Sequence, residues 1–193
     1  HALATAVYAR AVGLDAVLML GPQHPTPRVR RNLLRDDAAG AEMHLVPNEP
    51  GPAGALLTEV FRRYKASSGV YPLVIPPGGS SVVGALGFVN AGFELARQIR
   101  YGELIEPDVV YCASGTMGTC VGLLLGLRAA GLHTRVEAVR VTPPPFTFEP
   151  RARIFFSEIN RVLHDADRTF PVFDYPEDKL VFRHEFFGDG YGI

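Results

Sequence analysis

Short apolar runs alternate along the chain with longer stretches whose apolar positions recur every three or four residues. Residues 2–12 are alanine-rich and predict a helix closed by Gly13. DAVLML (15–20) is a continuous apolar run of strand length, the pattern of a strand buried on both faces. Thr26 then stands as an N-cap before Pro27, and the helix is expected to run to about Ala39, ahead of Gly40. AEMHLVP (41–47) predicts a second strand, NEPGP a turn, and 53–67 a helix with Leu56, Leu57, Val60, Phe61 and Tyr64 on its apolar side. VYPLVIP (70–76) reads as a third strand. PPGGSS leads into a long helix from Val82 to about Arg100, and DVVYCA (108–113) reads as another buried strand. Residues 119–130 are helical, closed by Gly131, and RVEAVRV (135–141) is the next strand. TPPPF breaks the pattern. EPRARIFFSEINRVLHDAD predicts an amphipathic helix with Ile154, Phe155, Ile159 and Val162 facing inward, and KLVFRHEFF a final strand.

Strands alternating with helices imply crossover units, so the expected class is α/β: three αβα layers with mostly parallel sheets and helices on both faces. PPGGSS and the helix after it mark passage from one sheet to another. The expected division is a small, partial domain at 1–75 and part of a larger one at 76–193.

Composition narrows the function classes. The chain has 193 residues, 47% of them hydrophobic, with a net charge of -1. That length buries a substantial core, and the near-zero charge removes the electrostatic case for nucleic acid or an anionic membrane. RVRRNLLRDD, the one basic cluster, reads as a solvated helix face balanced by Asp36 and Asp37. No apolar run reaches the roughly 18 residues of a membrane helix, so a cytoplasmic protein is expected. Cys112 and Cys120 lack zinc-ligand spacing and read as two reduced thiols. The chain opens on HALATAVYAR without an initiator methionine and stops at GDGYGI, the pattern expected of a piece of a longer protein, incomplete at both ends.

In parallel sheets, ligands bind beyond the carboxyl ends of strands. Two such junctions combine glycine with hydroxyls: PPGGSS after Ile75, and SGTMGT after Ala113. Each feeds a helix whose first turn has unpaired amides and partial positive charge, the makings of an anion site. Gly115 and Gly118 would let backbone approach a phosphate, while Ser114, Thr116 and Thr119 would add hydroxyl donors. There is no GxxxxGK[ST] loop, no GxGxxG and no acidic residue at the end of the next strand, so a small phosphate-bearing cofactor fits better than a dinucleotide or triphosphate. Gly118, Gly122 and Gly126 recur every four residues. For Gly122 and Gly126 that stripe reads as close helix-to-strand packing. For Ser114, Gly115, Thr116, Met117, Gly118 and Thr119 anion binding is preferred, because packing alone does not call for hydroxyls. PPGGSS stays open, since Ser80 or Ser81 could simply cap the long helix. His24, in a strand-end loop, could face a ligand but reads as a surface histidine; His44, His133, His164 and His184 have no partner at metal spacing, so no metal is expected. Tyr8 reads as core, Asp108 as a turn residue, and no Ser-His-Asp or Cys-His set forms.

IPPGGSSVVGALGFVNAGFELARQI, DVVYCASGTMGTCVGLLLGL and the terminal GDGYGI resemble the pyridoxal-phosphate enzymes of the tryptophan-synthase-beta-like fold (fold type II). Within that group the likeness is to the D-cysteine desulfhydrase and 1-aminocyclopropane-1-carboxylate deaminase family. HALATAVYAR is similar to the helix after that family's Ser-Asn-His motif, with His1 its last residue. The resemblance implies two domains with pyridoxal 5'-phosphate between them. It implies a cofactor phosphate held by Ser114 to Thr119 in the larger, cofactor-binding domain, and Gly78, Gly79, Ser80 and Ser81 on the substrate side. It further implies a homodimer and a lyase or deaminase acting on a small amino acid.

The same resemblance places the Schiff-base lysine and the Ser-Asn pair upstream of His1, and the partner of the pyridine nitrogen downstream of Ile193. Lys65 and Lys179 lie in no such motif and read as surface residues. No catalytic group is therefore expected in this chain, and the isolated piece is expected to be inactive. The alternatives are a same-fold enzyme of β-replacement or isomerisation, or a cofactor-free α/β module that binds an anion or serves as a scaffold. TPPPFTFEP is a proline-rich insertion where a simpler turn is expected, placed to reshape the cleft.

Overall fold

A computed structural model of the chain describes residues 1–47, 52–143 and 146–188. The turn expected at 48–51, the prolines at 144 and 145 and the terminal residues 189–193 lie outside the described residues. The chain divides into two units, residues 1–74 and 75–193.

The first unit contains α1 (Ala2–Ala11), β1 (Val17–Leu20), α2 (Pro27–Ala38), β2 (Glu42–Leu45) and α3 (Pro52–Ser68). β1 and β2 pair in parallel, from Val17 opposite Glu42 to Leu20 opposite Leu45, so α2 is their crossover. Thr26 Oγ1 accepts the Val29 N–H at 3.2 Å, and Pro27 fills a position whose amide would be unpaired anyway.

Expectations fail in this unit, among them Tyr8, expected in the core but 72% exposed. VYPLVIP forms no strand: its residues are irregular and exposed, Leu73 to 88%. A strand needs ladder bonds to a neighbour, and Pro72 and Pro76 have no N–H to give. RVRRNLLRDD is not wholly a solvated face either. Asp36 is only 2% exposed, while Leu34 faces solvent. Burial pushes the Asp36 carboxyl above its ordinary range, and Oδ1 has no partner among the described residues.

The second unit opens with a 3-10 turn (Pro77–Gly79). It continues through α4 (Val82–Arg100), β3 (Val109–Ser114), α5 (Gly118–Ala129), β4 (Arg135–Arg140), α6 (Glu149–Ala166) and β5 (Leu180–Arg183). The sheet order is β3-β4-β5, parallel throughout. Val136, Ala138 and Leu180 point from one face into a core shared with Val121, Leu124 and Leu125 of α5, Val89 of α4 and Phe156 and Ile159 of α6. The opposite face carries Tyr111, 66% exposed. It also carries Glu137, buried between Arg135 (3.0 Å) and Arg183 (2.6 Å). β3 is thus half-covered among the described residues, not buried on both faces as its apolar run suggested.

The inner face of α6 is turned from the expected one. Ala152, Phe156, Ile159 and Asn160 are buried, whereas Ile154 is 61% exposed and Val162 is also exposed. The cause is Asn160, a polar residue the pattern assigns to solvent. Its amide donates to Pro171 O at 2.9 Å and accepts from Phe173 N at 2.7 Å, satisfying it inside. No helix among the described residues is long and apolar enough to cross a membrane.

Candidate functional site

Between β3 and α5 lie only Gly115, Thr116 and Met117. Met117 adopts the left-handed conformation (φ 69°, ψ 0°), the one non-glycine residue among those described to do so. That conformation costs a side-chain-bearing residue about 1–2 kcal/mol. Met117 is fully buried in the core, and burying such a side chain contributes about 1.5–3 kcal/mol, enough to hold the turn.

The turn leaves a row of donors. Among the described residues, the N–H groups of Gly115, Thr116, Met117, Thr119 and Cys120 meet no protein acceptor. They sit at the positive end of a 12-residue helix. Gly118 N–H is the exception and donates to Ser80 Oγ at 3.1 Å. The carbonyls run the other way. Ser114 O accepts from Val141 N (3.0 Å) and Thr147 Oγ1 (3.2 Å); Gly115 O accepts from Thr147 Oγ1 (2.8 Å) and Thr142 Oγ1 (3.3 Å).

The two glycine-rich junctions meet. Ser80 Oγ lies 2.6 Å from Thr116 Oγ1, and a Cβ on Gly78 (φ +67°) would fall 2.2 Å from that same oxygen. A Cβ on Gly118 would lie 2.6 Å from Ser80 Oγ, and one on Gly115 3.0 Å from Thr142 Cγ2. Both loop glycines therefore face protein atoms rather than open space. GGSS divides in role: Ser81 caps α4 through the Gly84 N–H at 3.1 Å, while Ser80 braces the loop. Both serines also line an open groove of about 260 Å³ with Arg151, Phe155 and Glu158. Farther along α5, Cβ atoms on Gly122 and Gly126 would meet Ala85 O at 2.6 Å and Val89 O at 2.3 Å. The packing reading of that stripe holds, but its partner is α4, not a strand.

Beneath the loop, Ser114 is buried with its hydroxyl 3.5 Å from Cys120 Sγ, which also donates to Met117 O at 3.3 Å. Both cysteines are free. The neighbouring Cys112 thiol and burial push the Cys120 thiol well up, and the same pairing lowers Cys112. Lys65 donates to Gly69 O within the first unit, and Lys179 donates to His133 O. His164 bonds Phe170 O at 2.7 Å, and His44 contacts Glu42. Among the described residues no group of three His, Cys, Asp or Glu is placed to hold a metal. Thr142 and Thr147 escaped the sequence reading because nothing local links them to a loop about 30 residues earlier.

Residues 1–174 match the family described as pyridoxal-phosphate dependent enzymes. A putative 1-aminocyclopropane-1-carboxylate deaminase of Thermotoga maritima is 35% identical over 142 residues, covering 74% of this chain and 44% of that protein. The mitochondrial bifunctional D-cysteine desulfhydrase/1-aminocyclopropane-1-carboxylate deaminase of Arabidopsis thaliana is 30% identical over 155 residues, 77% of this chain and 39% of that protein. The crystal structure of an ACC deaminase homologue superposes with a TM-score of 0.67 at 26% identity, over 94% of this chain and 52% of the other. The chain thus spans about half the length, or less, of the proteins it matches.

Proposed function

The chain belongs to the pyridoxal-phosphate dependent enzyme family, and from that premise we propose that the whole protein is a lyase or deaminase acting on a small amino acid. In this reading the Ser114–Thr119 loop holds the phosphate of pyridoxal 5'-phosphate, and the reaction is of the desulfhydrase or ring-opening deaminase type. The observation that carries it is the row of unpaired amides at the positive end of α5. Bound cofactor supplies an electron sink for negative charge developing beside the substrate nitrogen. The chain's own residues bind and orient. The amides of Thr116, Met117, Thr119 and Cys120 donate to phosphate oxygens, and the Thr119 hydroxyl, half-buried with no protein partner among the described residues, adds a further donor. The buried Met117 side chain keeps the turn from opening. The proposal carries with it the family's homodimer, which sedimentation of the whole protein tests.

One observation favours a cofactor-free module: Ser80 Oγ already satisfies the Gly118 N–H, as in a purely structural joint. The neighbouring amides meet no acceptor among the described residues, which is why the cofactor reading is preferred. Absorbance titration of the whole protein with pyridoxal 5'-phosphate separates the two. The expected result is a saturable visible band, with Thr119→Ala weakening affinity by about tenfold, the worth of one hydrogen bond to a charged group. No saturable band in the parent protein, or unchanged affinity in the variant, refutes the assignment. Sulfide release from D-cysteine and ammonia release from 1-aminocyclopropane-1-carboxylate then discriminate the reaction types.

A further inference from the structure

The first-turn amides of α5 can serve an anion only if the peptide planes before the helix are turned the right way. A trans peptide is rigid and planar, with C=O and N–H leaving opposite edges. Fixing the carbonyl therefore aims the amide of the next residue. Here two consecutive carbonyls are held: Ser114 O chiefly by Val141 N at 3.0 Å, and Gly115 O by the Thr147 side chain. Thr147 Oγ1 lies 3.2 Å from the first and 2.8 Å from the second. Thr147 is 3% exposed, so water does not compete for its single hydroxyl hydrogen. That hydrogen serves mainly the nearer Gly115 carbonyl. Thr142 Oγ1 backs it, 3.3 Å from Gly115 O and 3.4 Å from Thr147 Oγ1. With both carbonyls drawn toward the segment between β4 and α6, the N–H groups of Gly115 and Thr116 must leave from the opposite edges, away from that segment.

We propose that Thr147, assisted by Thr142, is the positioning residue of the phosphate cradle. It acts on the anion through the Gly115–Thr116 peptide plane, without touching the ligand. This rests on the reading of the loop as a phosphate site. It also gives the proline-rich insertion a role at the strand ends, since both hydroxyls, of Thr142 and Thr147, belong to it. A valine at 147 keeps the shape and loses the donor, leaving the Gly115 carbonyl with its longer contact only. The plane is then free to rotate, and the Thr116 amide loses its direction.

The test measures affinity of the whole protein for two probes, pyridoxal 5'-phosphate and inorganic phosphate, in wild type, Thr147→Val and Thr147→Ser. Thermal unfolding of each is followed separately. Thr147→Val is expected to weaken both probes about tenfold, the worth of one well-aimed charge-assisted hydrogen bond. Thr147→Ser, which keeps the hydroxyl, restores affinity to within about twofold of wild type. A merely structural role lowers the unfolding temperature in both variants and leaves the affinity of the folded protein unchanged. Wild-type affinity in Thr147→Val, or an equal loss in Thr147→Ser, overturns the positioning role alone. Absence of binding to the wild type overturns the cofactor reading and this inference with it. Should Thr147→Val not fold, Thr142→Val removes the longer contact and is expected to cause a smaller loss in the same direction; unchanged affinity there counts against the proposal.

Discussion

Gly126 provides the sharpest test of how α5 is held, because two physical effects predict opposite signs for Gly126→Ala. Alanine is favoured over glycine in a helix interior by about 1 kcal/mol, so propensity alone makes the variant more stable. The added Cβ would, however, sit 2.3 Å from Val89 O and 3.0 Å from the Val89 Cα and carbonyl carbon of α4, where ordinary contact begins near 3.4 Å. The obstacle is backbone, not a side chain that can swing aside. Restoring contact requires the two helices to part by about 1 Å, and overpacking of this kind typically costs about 1–3 kcal/mol, occasionally more. The same separation also opens the close packing at Gly92, whose missing Cβ would lie 2.7 Å from the Gly126 carbonyl carbon, and forfeits contacts there. The upper part of that range therefore applies, and the net expectation is a loss of about 1–2 kcal/mol after the propensity gain. Gly87→Ala is the matched control: it lies in α4, is exposed, and has nothing within 4 Å of its would-be Cβ. It should gain up to about 1 kcal/mol. Urea unfolding followed by helical circular dichroism reads both, with the midpoints compared at constant slope. If Gly126→Ala is stabilised as Gly87→Ala is, the close approach of α4 and α5 does not exist.

Glu137 makes stability pH-dependent in a definite direction. Arg183 first, and Arg135 with it, hold its carboxyl below the ordinary range. The contribution is therefore present above the unfolded value of about 4.3 and lost as pH falls through the lower folded value. Glu137→Gln should be less stable at neutral pH and show a flatter decline below about pH 5; equal slopes in acid-series urea midpoints refute the pairing. The thiols should differ as well. Near pH 8 a maleimide should modify Cys112 before Cys120, whose thiol is held protonated by the neighbouring Cys112 and by burial. Peptide mass spectrometry showing Cys120 modified first in the folded protein sinks that ordering.

Elements whose signals are local were legible in the sequence. Thr26 before Pro27 marks the start of α2, and the glycines at 13, 40 and 131 follow the helix ends with φ near +75°. Parallel pairing followed from strand-helix alternation. What failed depends on partners. VYPLVIP has strand composition, but a strand is a relation between two segments, and neither Pro72 nor Pro76 can complete a ladder. Asn160 and Asp36 are polar residues turned inward, one satisfied by backbone groups more than ten residues away and the other not. A pattern of polar and apolar letters assigns both to solvent, so the α6 face is rotated and the α2 face mislabelled.

The candidate site divides along the same line. Glycines and hydroxyls at a strand-to-helix junction identify SGTMGT as a loop with free amides, because helix geometry alone leaves them unpaired. Where those amides point is set from outside the loop. Ser80 reaches in from the junction before α4, and Thr142 and Thr147 reach in from the junction after β4. Met117 is anchored by the core shared by α4, α5 and α6. Three residues between β3 and α5 are too few to fix two peptide planes and a left-handed turn by themselves. The cradle is thus a joint of three chain segments. Its glycines serve that joint as much as any ligand, since Gly78, Gly115 and Gly118 each face a hydroxyl-bearing side chain of another segment. Replacing those glycines would disrupt the joint and confound any binding measurement. Removing single hydroxyls, at Thr119 for the ligand contact and Thr147 for the direction of the amides, separates the two roles.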